Sequence, residues 1–512
     1  MAQMSMIVTT HPDLPKMLSR RLQRFLLPAL AALLLPSTGC MVGPKYQRPS
    51  APVPATYKEQ PPSDASQTNV WNQARPNDAV TRGKWWEVFN DPQLNALEEQ
   101  VSISNQNVLV AQAQFREARD AVRIARSSLF PTVSTAPSYT NSRTSGTLFN
   151  VTAGNLTGGQ RNIYNLPVDV SYQADVWGSI RRSVRGSAET AQATAAQLEN
   201  VRLAMQAALA QDYFQLCGVD TGQDLLERTV KSYEEYLQLT KDRFASGVAS
   251  GADVAQAETQ LKTAQAQLTD LGVPRAQFEH AIAILAGKPP AALTIPRTLS
   301  KGTPPSTPPG VPSDLLQRRP DIAAAERQMA AANEQIGIAK AAYFPAVLLT
   351  GTAGFESASF TKWLTWPSRL WSVGPQVAET VFDAGRRHAQ SDLVRAAFDA
   401  SIAGYRQTVL TGFQQVEDNL AALRILADEA QVQDQAVQAA ERSLDISTYQ
   451  YKAGVVSYLQ VLTAQTVALQ DEVTAVNIST RRMVASVLLI EALGGGWNAS
   501  SLPAEKNLAH GK

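Results

Sequence analysis

The chain has 512 residues, with 46 Lys and Arg against 45 Asp and Glu, for a net charge of +1. That balance gives no basis for binding nucleic acid or an acidic polymer. Four histidines and two cysteines are too few and too scattered for a metal cluster or a disulfide framework.

Lys16, Arg20, Arg21 and Arg24 precede an apolar core at 25–36, FLLPALAALLLP, and then the small residues Ser37, Thr38 and Gly39. This order predicts an export signal over 1–39, too short to span a bilayer. Residues 1–15 read as surplus ahead of it. No later run of 18 or more apolar residues occurs, so no transmembrane helix is expected in the mature chain. Cys40 directly follows Gly39 and resembles the lipidated cysteine of a bacterial lipobox, although Ser37 stands where an aliphatic residue is usual. S-diacylglycerol and an N-acyl chain on Cys40 anchor firmly where one chain is marginal. Met41, in place of an acidic residue, resembles an outer-membrane address. No other cofactor is expected.

A lipidated N-terminus and extended strap over 40–84 comes next, rich in Pro and Ser, without a core of its own. A first repeat is expected over 85–287. Its first helix follows Asp91-Pro92 and carries Leu94, Leu97, Val101, Val108 and Phe115 at helical spacing. A β-hairpin over 131–177 alternates Val168, Val170 and Tyr172 with Asp169 and Ser171, around a Gly/Asn/Thr-rich loop. A long helical hairpin over 179–287 turns at 247–251; Leu225, Thr229, Tyr233, Tyr236, Thr240 and Phe244 mark a coiled-coil seam. Its second helix is expected to run unbroken to Ala286. A Pro-rich linker spans 288–313.

The second repeat, over 314–496, replays the first. A helix from about Ser313 to Ala342 leads into a hairpin over 345–383. Trp363, Trp366 and Trp371 lie between its strands and suit either a membrane interface or loop packing. A helical hairpin over 386–493 turns at Gly454, and a polar tail covers 497–512. IARSSLFPTV at 124–133 and IAKAAYFPAV at 338–347 match at five of ten positions, and each Phe-Pro ends a helix. Gly178 and Gly385 are 207 residues apart, as are Gly247 and Gly454. The chain is therefore mainly α with a β part, built by internal duplication, and its strands form either a soluble sheet or, with several copies of the chain, one closed membrane barrel. Four strands cannot close a barrel in lipid without unpaired edges. Three copies give twelve strands and six long helical hairpins, enough for a barrel continued by a helical tube, with the turns ~100 Å from the Phe-Pro joints.

LLQRRPDI at 315–322, with Ala325-Glu326 and IGIAKAAYFPAV, resembles the signature of the TolC-like outer-membrane factors. CMVGPKYQRP at 40–49, Trp85-Trp86 before 89–94, 243–253 and YKAGVVSYLQVLTAQ at 451–465 resemble further blocks of its lipoprotein branch. The resemblance covers nearly the whole mature chain. It implies a homotrimer in the outer membrane of a Gram-negative bacterium, with a twelve-stranded barrel and a periplasmic α-barrel. It implies as partners a periplasmic membrane-fusion adaptor, an inner-membrane resistance–nodulation–division pump and outer-membrane lipids. The implied function is passive conduction of small molecules to the exterior, and no enzymatic activity. The adaptor is expected at the turns, at Arg243, Gly247 and Gly454. Asp253 and Tyr451 match positions of the periplasmic gate, whereas Gln460 and Thr463 stand where the family often has acids. Closure is therefore expected from Tyr451 and apolar neighbours, with Asp253 linking to nearby chains.

Two other readings stay open at this point: a type I protein-secretion channel, and a lipid-anchored periplasmic coiled-coil scaffold. The arginines at 181, 182, 185, 386 and 387 suit lipid phosphates or a solvated face equally. Cys217, inside a helical pattern, reads as a small buried hydrophobe.

Overall fold

A computed structural model describes residues 41–59, 83–143, 160–299, 303–305, 307 and 310–509. The export signal, Cys40 and the glycine-rich hairpin loop lie outside the described residues. The chain divides into a sheet unit of Met1–Pro44, Ala125–Val184 and Glu334–Asp392, and a helical unit of Lys45–Ile124, Arg185–Asn333 and Leu393–Lys512.

In the sheet unit, β1 (Thr132–Thr135) and β2 (Ser138–Arg143) both pair antiparallel with β3 (Gln160–Ala174), which pairs with β4 (Ala346–Ser357), which pairs with β5 (Arg369–Ala378). β1 and β2 share one register on β3 and form a single row broken at Ala136-Pro137, where proline cannot donate to the ladder. Strand pleating then sorts the side chains. Val133, Val168, Val170, Tyr172, Val347, Leu349, Phe355, Trp371, Val373 and Val377 share one face. Asp169, Ser171, Thr350, Thr352 and Glu356 share the other, where Thr352 Oγ1 donates to Asp169 Oδ1 at 2.6 Å. The apolar face is bare: Val373 is 80 % and Trp371 75 % exposed. The β1/β2 row and β5 are edges with one neighbour each.

The joint after the second Phe-Pro is fixed from the first repeat. Trp177 stacks on Phe344 with centroids 4.6 Å apart, and its Nε1 donates to the Pro345 carbonyl at 2.8 Å. Gly178 has φ +79°, and a Cβ there would meet Met41 at 2.7 Å, so both backbone and space demand glycine.

The helical unit holds α1 (Pro92–Ser104), most of α2 (Gln106–Ser127) and of α3 (Ser179–Ala245), α4 (Gly251–Asp270) and α5 (Gly272–Leu285). It continues with α6 (Leu315–Arg318), most of α7 (Pro320–Ala341) and of α8 (Arg386–Lys452), α9 (Tyr458–Ala492) and α10 (Glu505–Ala509). α3 and α8 each have 67 residues, as the common 207-residue offset requires. Three helices expected whole are broken. Asn105 ends α1 and caps α2, accepting from Asn107 N at 2.9 Å and Val108 N at 3.2 Å. Leu271 separates α4 from α5. Arg319 is extended (φ −94°, ψ 123°) because Pro320 follows. Trp371 lies within β5 rather than between the strands.

Two apolar clusters repeat the duplication. Trp85, Trp86, Leu94 and Val101 pack with Leu209, Tyr213 and Cys217; Leu315, Ile322 and Met329 pack with Tyr405, Val409 and Val416. α9 serves both, through Val487 and Ile490 in the first and Leu489 in the second. It alone among the described helices is long and apolar enough by composition to cross a membrane, with mean hydropathy 1.3; Ile478, Met483, Val487, Leu489 and Ile490 within it are buried. The described part of the strap at 48–59 lies along α8: Arg48 donates to Tyr405 Oη at 3.0 and 3.1 Å, and the Lys58 and Glu59 amides donate to Glu417 at 2.8 and 3.0 Å. Tyr57 enters the second cluster.

Candidate functional site

The two turns of the long helices lie in the helical unit and are built from one plan. At the first, Gly247 has φ +75°, the Gly247 amide donates to Phe244 O at 2.9 Å and the Val248 amide to Arg243 O at 2.8 Å. This left-handed closure satisfies carbonyls that the helix end leaves open. Ser250 then starts α4 with a capping box. Its Oγ accepts from the Asp253 amide at 3.2 Å, while Asp253 Oδ2 accepts from the Ser250 amide and Oγ, both at 2.9 Å.

At the second turn Gly454 has φ +76°, the Gly454 amide donates to Tyr451 O at 3.0 Å and the Val455 amide to Gln450 O at 2.9 Å. Ser457 is the N-cap of α9 but makes no side-chain cap bond. The duplication places Gln460 where the first turn has Asp253, and Gln460 is exposed. Thr463 Oγ1 donates to the Leu459 carbonyl at 2.9 Å. Gln460 and Thr463 line an open groove of about 420 Å³ with Ser443, Ser447, Leu459 and Val467.

One side chain joins the turns. Arg243 Nη1 donates to the carbonyls of Tyr451 at 2.8 Å and Lys452 at 3.3 Å, so a cation sits on the negative end of α8. The same guanidinium lies 4.7 Å from the centroid of the Tyr451 ring. Tyr451 is buried, with its Oη 3.4 Å from Thr240 Oγ1 and its ring 5.6 Å from that of Tyr458. Tyr233, Leu237, Leu261 and Val461 complete the cluster. Below it Tyr236 Oη and Thr448 Oγ1 are 2.9 Å apart, and Gln260 Nε2 donates to Tyr233 Oη at 3.1 Å. Burial pushes the hydroxyls of Tyr233 and Tyr458 above the usual phenol range, so both stay neutral.

The turns thus bring together Arg243, Gly454 and Tyr451. Asp253 is held locally by Ser250, while Gln460 and Thr463 face their own groove. Sequence reasoning missed Thr240, Tyr233 and Tyr458 as partners of Tyr451. The Tyr-rich seam of α3 signalled an interface without naming what it meets.

Near the sheet, three of the arginines have acidic partners within the chain. Arg181 and Arg387 are half-buried and pair with Asp175 at 2.9 Å and Asp383 at 2.7 Å. Arg182 is buried and pairs with Glu334 at 2.8 Å. Arg185 and Arg386 are exposed. Cys217 is a free thiol in the first apolar cluster, pushed up to about 12 by burial.

The family model described as outer membrane efflux protein matches residues 97–288 and 311–495, one range in each repeat. The antibiotic efflux pump outer membrane protein ArpC of Pseudomonas putida is 31 % identical over 461 residues, covering 90 % of this chain and 93 % of the relative. The toluene efflux pump outer membrane protein TtgC of Pseudomonas putida matches to the same extent. Among solved structures, the open state of the Neisseria gonorrhoeae MtrE outer membrane channel superposes with TM-score 0.75 at 26 % identity, covering 90 % of this chain and 99 % of that one. A duplicated helical plan, a two-faced sheet and matches along both repeats lead to one assignment: this chain belongs to the outer membrane efflux protein family.

Proposed function

We infer that the chain is the outer-membrane channel of a tripartite efflux system, a passive conduit for small molecules supplied by an inner-membrane pump through a periplasmic adaptor. The observation that carries this reading is the sheet. It has a bare apolar face, a polar face and two edges that each lack a neighbour. In lipid, unpaired edge groups cost several kcal/mol each. Three copies, with their edges joined, remove every edge and place Asp169, Thr352 and Glu356 along an aqueous lumen.

The turns form the periplasmic end. Arg243, Gly247 and Gly454 present the docking surface for a membrane-fusion adaptor of a resistance–nodulation–division pump. Tyr451 and its apolar neighbours close the pore, and Asp253, Gln460 and Thr463 line the approach. With Gln460 and Thr463 neutral, the constriction has no second carboxylate ring to bind cations. Lipid on Cys40 tethers the strap to the outer membrane. The relatives named for antibiotics and for toluene are equally similar to this chain, so the pump, not the conduit, sets the substrate.

Detergent extraction of outer membranes tests the assembly. The expected species is a trimer whose band shifts on heating, and cells lacking it accumulate a fluorescent pump substrate until the gene is restored. Release of a monomer by a carbonate wash would contradict the reading.

A further inference from the structure

The apolar face of the sheet carries only two charged strand residues among those described, and both are arginines at the loop end. The register puts Arg369 opposite Phe355 and in line with Trp371 and Val373; it puts Arg143 in line with Tyr139. Glu356 and Asp169 lie on the other face. The segment between β4 and β5 folds back over the loop end of the apolar face, at Tyr164. Phe360 and Trp363 lie 5.6 and 5.8 Å from the Tyr164 ring, and Tyr164 lies 4.9 Å from Tyr139. The Arg369 guanidinium sits 3.9 Å from the Trp366 centroid, and Trp366 is 74 % exposed. Lys362 belongs to the same segment. None of Arg143, Lys362 and Arg369 makes an ion pair with a described residue.

Aromatic rings at the border of an apolar band mark the depth of lipid headgroups. Three cations among them, with no acid on that face, specify headgroups that bear negative charge. Arginine matches phosphate with paired donors, and flat indole faces suit sugar rings. We propose that this belt binds a phosphorylated glycolipid of the outer leaflet, with its phosphates on Lys362 and Arg369 and its acyl chains along Trp371 and Val373. Stacking on Trp366 holds the Arg369 guanidinium at headgroup depth and leaves its donors open to the ligand.

This inference rests on the outer-membrane reading with the hairpin loops outside. Labelling of Thr361→Cys by a membrane-impermeant maleimide on intact cells tests that orientation alone; absence of label would overturn it. The lipid itself is tested by native mass spectrometry of the detergent-solubilised protein. The probes are diphosphoryl lipid A, its dephosphorylated form and phosphatidylglycerol. The native chain is expected to retain diphosphoryl lipid A about tenfold better than either other probe, and Lys362→Gln with Arg369→Gln to lose that preference. Lys362→Gln with Trp366→Ala, which leaves the strands untouched, is measured beside it and is expected to lose most of the preference. Equal retention of phosphatidylglycerol, or full preference in the loop variant, would overturn the proposal.

Discussion

The two helical turns descend from one sequence plan and have diverged in charge. Gly247 and Gly454 keep the same left-handed φ, +75° and +76°. Around them Arg243 stands where the second turn has Gln450, Phe244 where it has Tyr451, and Asp253 where it has Gln460. The first turn is charged, capped and exposed, with Phe244 at 53 % exposure. The second is neutral at its helix start and buries its aromatic. Duplication conserved the backbone solution, and divergence turned two equal turns into a donor and an acceptor: Arg243 of the first holds the end of α8 at the second.

The largest effect is expected from breaking that link. Hydrogen bonds to charged groups contribute about 1.5–3 kcal/mol, so Arg243→Ala should weaken the proposed closure of the tip roughly tenfold or more. Cells that carry it should become more susceptible to a bulky antibiotic excluded by the native channel, while Arg243→Lys should restore only part of the barrier. Unchanged susceptibility would separate the Arg243 contact from closure.

The other end of α9 gives the next effect. Burial raises the Glu491 carboxyl to about 7, opposed by Arg319 and reinforced by Asp321. Arg319 itself donates to Ala492 O at 2.8 Å, to Asp321 at 2.7 and 3.0 Å and to Gln415 at 2.8 Å. The folded chain therefore holds this proton where the unfolded chain has lost it. Stability from this group falls as pH rises from about 4.5 to about 7, then levels off. Glu491→Gln should abolish that slope and raise stability at pH 8 by about 1–3 kcal/mol, read as a higher melting midpoint. A midpoint equally pH-dependent in both proteins would count against it.

Capping separates the turns directly. Ser250→Ala removes a capping box and should cost about 1 kcal/mol, whereas Ser457→Ala should cost a few tenths, because Ser457 makes no cap bond. Hydrogen exchange at the first amides of α4 and α9 reads the difference; equal losses would erase the contrast. The smallest effect on stability is expected from Gln460→Asp, which gives the second turn the acid of the first. It should add about 0.5 kcal/mol to the start of α9, while adding a carboxylate beside the proposed pore.

The architecture was legible because it is written in periodicity and punctuation. Glycine, proline and the 207-residue offset located the joints, the turns and both long helices. The breaks at Asn105 and Leu271 were not legible. Asn is also tolerated within helices, and Leu271 carries no breaking signal. Arg319-Pro320 did carry one, and the helical pattern on both sides masked it. At the turns, the glycines and Asp253 stood out locally. The contact of Arg243 with Tyr451 joins residues 208 apart, and no spacing rule within a helix reaches across two repeats. The acidic partners of the arginines near the sheet were not legible for a related reason: Arg181, Arg387 and Arg182 meet Asp175, Asp383 and Glu334, and Glu334 comes from the other repeat.

The proposed closure of the tip rests on an Arg243–Tyr451 link rather than on a ring of carboxylates at the second turn. Single-channel conductance of the purified protein in a planar bilayer tests it most directly. The expected result is a current that micromolar divalent cations leave unblocked, a larger current in Arg243→Ala, and new divalent block in Gln460→Asp. Strong micromolar block of the native channel, with no change in Arg243→Ala, would contradict it.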